Sequence, residues 1–482
     1  MNQSFYVKTY GCQMNEYDSE KIDELLIHKG FKKAKNFERS DIAILNTCHI
    51  RKKASEKFYS DLGRLSIFKK NQEKLGKKIK IIVMGCVAQA EGEEVLKRNS
   101  SVDYVVGPQN IQVIPKLVAS ANQKTLHTSF LCDEKFDSFP ISQDKNVSKL
   151  LTVQEGCDKF CTFCVVPYTR GSEYSRPVES IYAEARNLVN NGAQELTLLG
   201  QNVSAYNSSV YKNLTENGVS LAGLCKILSS LEKLKRIRYL TSHPRDISDE
   251  LINEHSSNEK LMPFLHLPIQ SGSDSILKKM NRKHTKEDYI ELISKIKNRV
   301  PKMAFSSDFI VGYPGETEQD FEETLDLIDQ IGFASSYSFK YSPRPGTPAS
   351  LDKNLIDELV LNKRLKKIQK VLLDQQNYFN NSFLEKEIEV LFTKKTNKTI
   401  KTLKKSYLFI LSAFGFGKMM HVYIKISTLW IVNIGYVKNK LIIRSHGWTK
   451  ICSTIICYLN PMRSIRPHHP NIKLRWPDKI VC

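Results

Sequence analysis

The chain of 482 residues lacks an apolar run long enough to cross a bilayer, and its first residues lack the pattern of a signal peptide. The longest apolar stretches, residues 408–416 and 426–437, are too short or too polar for a span of about 20 residues. We therefore expect a soluble, cytoplasmic protein. Its length exceeds one ordinary hydrophobic core and predicts two or three domains.

Acidic residues are nearly absent from the C-terminal end of the chain. Residues 394–482 contain 17 Lys and Arg but one acid, Asp478, whereas residues 1–393 contain 55 Lys and Arg against 50 Asp and Glu. An excess of positive charge favours an anionic partner such as RNA.

A fourth cysteine is missing from the one short cysteine cluster. Cys157, Cys161 and Cys164 have the spacing C-x3-C-x2-C, whereas an ordinary four-iron cluster takes four thiolates. Three thiolates would leave one iron open to bind a small molecule. Eleven cysteines in a reducing compartment favour metal binding or catalysis over disulfides.

Strands and helices alternate in the N-terminal part, which predicts a parallel α/β domain. A cysteine directly follows each of the first three predicted strands: Cys12, Cys48 and Cys86. Because carboxyl ends of parallel strands meet at one edge of a sheet, we expect these thiols to converge and hold a second cluster. The alternative is three separately buried thiols. The four strands are predicted at residues 5–10, 41–47, 79–84 and 102–107.

About six strand–helix units follow, which indicates a partial (β/α)6 barrel rather than a full barrel of eight units. The three-cysteine loop follows the first of these strands. Such barrels build their active sites at the carboxyl ends of the strands. The strands are predicted at residues 149–153, 195–199, 236–240, 264–267, 304–311 and 334–341.

Several motifs together resemble the methylthiotransferase family of radical S-adenosylmethionine (SAM) enzymes, and the resemblance covers residues 1 to about 380. The three-cysteine loop alone indicates only the superfamily, whereas the runs at 85–89 and 165–171 are typical of a tRNA-modifying branch. The motifs are TYGCQMN at 9–15, NTC at 46–48, MGCVAQ at 84–89, EGCDKFCTFCVVPYTRG at 155–171, LGQNV at 199–203, TSHP at 241–244 and HLPIQSGS at 266–273.

The resemblance implies two [4Fe-4S] clusters and SAM as cofactors. The cysteines at 157, 161 and 164 would hold the cluster that binds and cleaves SAM to a 5′-deoxyadenosyl radical. Those at 12, 48 and 86 would hold an auxiliary cluster that carries the sulfur. The implied reaction adds a methylthio group to C2 of N6-isopentenyladenosine beside the anticodon of tRNA. The implied partners are tRNA and an electron donor such as a flavodoxin, with a monomeric enzyme and no membrane.

Residues at the strand ends are candidates for contacts with SAM, although glycine runs at such ends are also common turns. Arg170 and Arg176 are candidates for contacts with substrate phosphate or the SAM carboxylate, with a solvated arginine as the alternative. No catalytic residue is assigned beyond the clusters. The predicted SAM contacts are Gly200, Gln201, Asn202, Gln270, Ser271 and Gly312.

The tail departs from the family, whose members end in a small RNA-binding β-barrel called TRAM. Strand alternation is not evident after about residue 395, which indicates a reading-frame change or a degenerate module, with a divergent basic RNA-binding tail as the alternative. The predicted domains are an N-terminal methylthiotransferase domain (1–120), a linker (121–148), a radical SAM domain (149–380) and a TRAM-like region (381–482).

Two other classes of function stay open at this point. A related methylthiotransferase would modify threonylcarbamoyladenosine in tRNA or an aspartate of a ribosomal protein. A non-enzymatic protein would be an iron–sulfur electron carrier or a zinc-stabilised RNA-binding protein, although a zinc protein would be expected to supply four ligands at a closed site.

Overall fold

The structure is a computed structural model, and none of its described helices is long and apolar enough to cross a membrane. The residues that it describes are 3–49, 52–120, 124–130, 135–136, 138–208, 218–384, 386–389, 391, 393 and the strand segments 421–426, 430–437, 440–446 and 454–458.

The N-terminal unit is a parallel sheet of six strands in the order β2-β1-β3-β4-β5-β6. The four strands predicted from the sequence are confirmed, and the structure adds two short edge strands, β2 and β6. Thr9 pairs with Asn46 and Thr47 with Gly85, so the ends of β1, β3 and β4 lie side by side. The six strands are β1 Ser4–Thr9, β2 Lys32–Lys33, β3 Ile42–Thr47, β4 Lys80–Gly85, β5 Tyr104–Val106 and β6 Thr125–His127.

Helices cover both faces of this sheet, so its central strands are buried on both sides. Ile44 and Ile82 belong to one core cluster, whereas Leu45 and Val83 belong to another. The strands are therefore continuous apolar runs rather than alternating ones. The helices are Gln13–His28, Lys52–Lys74, Cys86–Glu91, Glu93–Arg98 and Ile114–Ala119.

The second unit contains six parallel strands in two sheets, β13-β10-β7 and β14-β15-β16. A parallel bridge between Ile237 and Leu261 joins the two sheets. This arrangement confirms the predicted partial (β/α)6 barrel. The strands from here on are β7 Ser148–Thr152, β8 Gln154–Glu155, β9 Tyr174–Ser175, β10 Glu195–Leu199, β11 Asn207–Ser208, β12 Val219–Ser220, β13 Arg236–Tyr239, β14 Phe264–His266, β15 Ala304–Val311 and β16 Ser335–Lys340.

The helices of the second unit pack their apolar stripes on one face of these strands and form the largest core cluster. Capping boxes at Thr285 and Thr317 fix the starts of two of them by satisfying orphan backbone donors. The helices are Val166–Arg170, Val178–Asn190, Leu221–Ser229, Asp249–Ser257, Asp274–Lys279, Lys286–Arg299, Glu318–Ile331 and Glu358–Asn381.

Two parts of the structure differ from the sequence-based expectations. The predicted linker at 121–148 contributes β6 to the N-terminal sheet and places Lys135 in the interior, where charged partners hold it. The described segments of the tail, in which strand alternation was not evident from the sequence, are four strands that continue from β17 Glu387–Glu389 in one five-stranded sheet. They are β18 His421–Ile426, β19 Trp430–Val437, β20 Lys440–His446 and β21 Thr454–Tyr458.

Candidate active site with two cysteine sets

The N-terminal cysteine set lies at the carboxyl edge of the first sheet, where three adjacent strands end. Cys12 follows β1 and caps the helix Gln13–His28, Cys48 follows β3, and Cys86 begins the helix after β4. A Cβ at Gly11 would lie 2.2 Å from the Cys48 Cβ, so the loops after β1 and β3 touch. None of these three cysteines forms a disulfide bond within the described part of the chain. The structure thus brings together the side chains that the sequence placed far apart.

Side-chain amides hold the loops of this N-terminal set in place. The Asn15 amide donates to Asn46 Oδ1 at 2.8 Å and to the Thr47 carbonyl at 2.9 Å. The Asn46 amide donates back to the Asn15 carbonyl at 2.9 Å. The Cys12 thiol donates to Asn15 Oδ1 at 3.1 Å. The asparagines of the motifs at 9–15 and 46–48 therefore fix the loops that carry the thiols.

The second set lies in the loop after β7 and β8, at the carboxyl edge of the partial barrel. Gly156 has φ of +76°, and a Cβ there would lie 1.9 Å from the Ser172 carbonyl oxygen, so only glycine fits this turn. The Cys157 amide donates to the Gly171 carbonyl at 3.1 Å, and the Val166 amide donates to Cys164 Sγ at 3.5 Å. Both ends of the loop are thereby fixed.

The thiols of this second set fit a metal cluster better than they fit free cysteines. Burial raises the pKa of Cys157 to about 12 and that of Cys164 to about 11. A thiolate at these positions needs a compensating cation, which iron supplies. Among the described residues, no three His, Cys, Asp or Glu side chains converge closely enough to share one metal ion. A cluster differs from a single ion because each thiolate binds its own iron.

A buried arginine, which sequence reasoning missed, lies against the second set. Arg282 is 5% exposed and donates from Nη1 to Cys161 Sγ at 3.5 Å and from Nη2 to the Pro268 carbonyl. Its Nε has no hydrogen-bond partner in the part of the chain that the structure describes. Burial, and after it the charge of Arg282, lowers the pKa of the nearby His243 to about 2. The His243 imidazole is therefore neutral. Nothing in the short run around Arg282 indicated this position.

The predicted SAM contacts after β10 support the second cysteine loop. Gln201 Oε1 accepts a hydrogen bond from the Gly156 amide at 2.7 Å. Asn202 is buried, and its side-chain amide donates to Asp246 at 2.7 Å while its oxygen accepts from the His243 amide at 3.0 Å. A Cβ at Gly200 would lie 2.5 Å from Gln154 Oε1. These residues therefore join strand ends around the cysteine loop.

The other three predicted contacts have different surroundings. Gln270 lies half-buried at a strand end with φ of +81°, an uncommon conformation for a residue with a side chain. The Ser271 hydroxyl is fully buried and lies 3.3 Å from Thr324 Oγ1. A Cβ at Gly312 would lie 1.9 Å from Leu361 Cδ2, so this glycine permits close packing of the helix Glu358–Asn381.

The open face of the partial barrel carries polar and aromatic side chains. His266 Nδ1 lies 3.0 Å from Ser306 Oγ, and its Nε2 lies 3.6 Å from Asp308 Oδ2. Asp308 pairs in register with Tyr337, which is 54% exposed. Parallel partners point to the same side of a sheet, so Tyr337 shares this face with the His266–Asp308 pair. Exposed aromatic rings beside hydrogen-bonding groups suit a nucleobase.

Charged side chains that are buried connect the two cysteine sets. Arg170 was predicted to bind phosphate or SAM, or to be solvated, but it is 2% exposed and bonded within the protein. Its Nη2 lies 2.8 Å from Asp18 Oδ2 and its Nη1 lies 3.0 Å from Glu155 Oε1. Lys135 Nζ lies 2.9 Å from Asp18 Oδ1 and 2.5 Å from Glu155 Oε1. We call these four side chains the interface ring.

A second ion network lies beside the interface ring, and it corrects the expectation for Arg176. That arginine is also buried, and its Nη2 lies 2.9 Å from Glu184 Oε2. Lys21 Nζ lies 2.9 Å from Glu184 Oε1, and the Tyr17 hydroxyl donates to the same oxygen at 3.1 Å. Burial alone would raise the pKa of Glu184, but Lys21 and Arg176 lower it to about 2. The carboxylate is therefore ionised.

A partial (β/α)6 barrel with a three-cysteine loop after its first strand defines the class of radical SAM enzymes. The profile of the Radical SAM superfamily matches residues 151–328, and that of the uncharacterized protein family UPF0004 matches residues 4–107. The fold is also similar to that of a radical S-adenosylmethionine methyltransferase, TsrM, from Kitasatospora setae. That similarity has a TM-score of 0.54 at 12% identity and covers 73% of this chain and 75% of that chain.

Sequence relatives define the family more narrowly. The chain is 51% identical over 402 residues to the tRNA-2-methylthio-N(6)-dimethylallyladenosine synthase of Wolbachia pipientis subsp. Culex pipiens (strain wPip), covering 82% of this chain and 89% of that protein. It is 50% identical over 397 residues to the synthase of the same name from Rickettsia akari (strain Hartford), covering 81% and 88%. The chain belongs to this family of radical SAM enzymes, which confirms the resemblance found in its motifs.

Proposed function

We propose that this protein is the radical SAM enzyme that methylthiolates C2 of N6-dimethylallyladenosine beside the anticodon of tRNA. The observation that carries the proposal is the pair of cysteine sets, each at the carboxyl edge of its own parallel sheet and connected by the interface ring. Relatives that are about half identical over most of the chain carry the name of this activity. An electron carrier has no need of a second open cysteine set beside a partial barrel.

The two cysteine sets have separate roles in this proposal. Cys157, Cys161 and Cys164 hold the [4Fe-4S] cluster that binds SAM, and the set at 12, 48 and 86 holds the auxiliary [4Fe-4S] cluster. When bound, these groups supply electron transfer, SAM cleavage and the sulfur to be inserted. The protein binds and orients the reactants and keeps water away from them.

The six strand-end residues predicted to contact SAM divide into three groups. Gln270 lies half-buried at a strand end of the partial barrel in a strained backbone conformation, which suits a direct contact with SAM. Gly200, Gln201 and Asn202 act through the second cysteine loop that they hold. Ser271 and Gly312 lie against helices, and their proposed role is to fix the ends of β14 and β15.

The open face of the partial barrel is the proposed site of the adenine. Tyr337 offers an exposed ring for stacking, which contributes about 1–3 kcal/mol per base in proteins that bind single strands. The imidazole of His266, placed by Ser306 and Asp308, lies on the same face as Tyr337 and supplies a polar edge beside the base. A base in a folded RNA must leave its stack to reach such a site.

The remaining features belong to the same proposal. The substrate is tRNA, and the basic tail and the predicted domains 1–120, 149–380 and 381–482 serve its binding and modification. An electron donor such as a flavodoxin supplies reducing equivalents, and the enzyme works as a monomer in the cytoplasm.

The direct test is a reaction with defined tRNA. The anaerobically reconstituted protein is incubated with SAM, a reductant and tRNA that carries N6-dimethylallyladenosine, and nucleoside digests are analysed by mass spectrometry. Methylthiolated dimethylallyladenosine is expected. A tRNA with unmodified adenosine is the matched control, and tRNA with threonylcarbamoyladenosine tests the related activity. Product from the threonylcarbamoyl substrate alone would contradict the proposal.

Iron analysis tests the cofactor assignment separately from activity. The wild-type protein should bind about eight irons per chain, in two clusters of the four-iron type. Replacing all three cysteines of either set by Ala should leave about four. Zinc without iron in the reconstituted protein would exclude the enzyme and favour a zinc-stabilised RNA-binding protein.

A further inference from the structure

Arg170 lies between the two cysteine sets and is bonded to the segments that carry both. It ends the helix Val166–Arg170, which begins two residues after Cys164. Its Nη1 bonds Glu155, two residues before Cys157, and its Nη2 bonds Asp18 on the helix that Cys12 caps. One guanidinium therefore links a helix that starts at the first set with the loop that carries the second.

The main chain of Arg170 is held from the N-terminal unit as well. The side-chain amide of Gln109, which is fully buried, donates to the Arg170 carbonyl at 3.0 Å. The helix that begins at Cys86 also packs against the helix that ends at Arg170. The position of this residue is thus fixed through its side chain, its carbonyl and its helix.

The charges of the interface ring cancel, with Arg170 and Lys135 opposite Asp18 and Glu155. A neutral ring of this kind can often be replaced by apolar residues without loss of stability. The ring by itself therefore does not explain why a cation lies near the cysteine sulfurs. Arg170, however, also lies beside the N-terminal set, because its Nη2 bonds Asp18 on the helix that follows Cys12 and its own helix packs against the one that begins at Cys86. Its positive charge opposes the rise that burial causes in the pKa of the Cys12 thiol. Three thiolates around a cluster add negative charge at that place, and a nearby cation stabilises it.

We infer that Arg170 is a positioning residue that fixes the two cysteine sets relative to each other and supplies the positive charge beside the N-terminal set. The inference rests on the proposed function, because it requires a cluster on each set. Its consequence is that loss of the charge makes the auxiliary cluster harder to reduce and uncouples SAM cleavage from methylthiolation.

The test uses the full chain with three changes at the ring. Arg170→Met removes the charge, Arg170→Lys keeps it, and the double variant Asp18→Asn with Arg170→Met removes the charge while leaving Lys135 and Glu155 balanced. The auxiliary cluster is titrated potentiometrically in a background in which the cysteines at 157, 161 and 164 are Ala. The cluster on the second set is titrated in a background in which the cysteines at 12, 48 and 86 are Ala. The ratio of methylthiolated product to 5′-deoxyadenosine is measured in proteins that keep the cysteines of both sets.

The expected result is a lower midpoint potential of the auxiliary cluster in Arg170→Met and in the double variant, with little change in Arg170→Lys. The midpoint of the cluster on the second set should stay where it is in the wild type. Product per 5′-deoxyadenosine should fall at least tenfold in Arg170→Met and recover in large part in Arg170→Lys. Iron content and thermal unfolding of each variant show that the clusters and the fold are retained.

Two results would overturn the inference. An unshifted auxiliary midpoint in Arg170→Met would show that the charge does not act on the cluster. Full recovery of potential and coupling in the double variant would show that Arg170 only neutralises Asp18 and Glu155. If Arg170→Met alone does not fold, the double variant and Arg170→Lys still decide between these outcomes. A wild-type protein without iron would instead overturn the proposed function, and this inference with it.

Discussion

Replacing Gly11 by Ala should destroy the auxiliary cluster and spare the other. Gly11 has φ of +108°, which L-residues rarely adopt, and the cost of that strain is about 1–3 kcal/mol. The new Cβ would lie 2.2 Å from the Cys48 Cβ, so Cys48 must move by about 1.2 Å to reach the 3.4 Å of ordinary contact. Overpacking of a filled interior costs about 1–3 kcal/mol more. A thiolate displaced this far no longer meets its iron.

The measurement is the iron content after anaerobic reconstitution, which should fall from about eight to about four per chain. SAM cleavage should continue, because the second set is untouched, while methylthiolation should stop. Gly30→Ala is the matched control: Gly30 also has a positive φ, of +87°, but a Cβ there would meet no described residue within 4 Å. It should lose stability and keep both clusters. A Gly11→Ala protein with about eight irons and normal product would refute the convergence of the three thiols.

Three further predictions concern other parts of the molecule. Gly156→Ala, whose Cβ would lie 1.9 Å from the Ser172 oxygen, should remove the second cluster and SAM cleavage but retain about four irons. Cys225→Ala should keep about eight irons in the same analysis, because Cys225 is fully buried among apolar residues, and should lower the unfolding free energy by about 1–3 kcal/mol. Glu184→Gln should lose about 3 kcal/mol near neutral pH, which corresponds to the fall in pKa from 4.5 to about 2. Because that pKa is depressed in the fold, the contribution is present above pH 4.5 and lost towards pH 2, so thermal unfolding curves of the two cluster-free proteins should converge in acid.

Much of the fold was predictable because its strands are continuous apolar runs that end in glycine, cysteine or polar motifs. The strands Glu195–Leu199 and Ala304–Val311 occur where the sequence predicted them. Parallel topology then placed Cys12, Cys48 and Cys86 at one edge without further information. Local pattern and a general topological rule were sufficient at these places.

Other features depend on contacts between distant residues, which periodicity does not reveal. The edge strand Thr125–His127 is three residues long and is defined by its partner β5 rather than by its own pattern. Arg170 and Lys135 look like surface residues in the sequence, yet each is buried because two carboxylates from distant segments surround it. Ser271 is predicted to contact SAM because it follows a strand end, and the pattern did not show that its hydroxyl lies 3.3 Å from Thr324 Oγ1 on a helix.

The tail was the least predictable part. Strands His421–Ile426 and Trp430–Val437 pair antiparallel, and Glu387–Glu389 pairs in parallel with the first of them. These strands were not predicted because the tail has almost no acidic residues. The usual alternation of apolar and charged residues is replaced there by runs of apolar residues and lysine. Its role in binding RNA follows from charge alone in the present proposal.

The central claim is best tested in cells that lack the methylthio modification of dimethylallyladenosine. The full chain is expressed there, and tRNA nucleosides are separated and weighed by mass spectrometry. The account predicts that the methylthiolated nucleoside reappears with the wild-type chain. It also predicts that the nucleoside stays absent when either set, Cys12, Cys48 and Cys86 or Cys157, Cys161 and Cys164, is replaced by Ala. Restoration of the modified nucleoside by a chain without one of these sets would contradict the account.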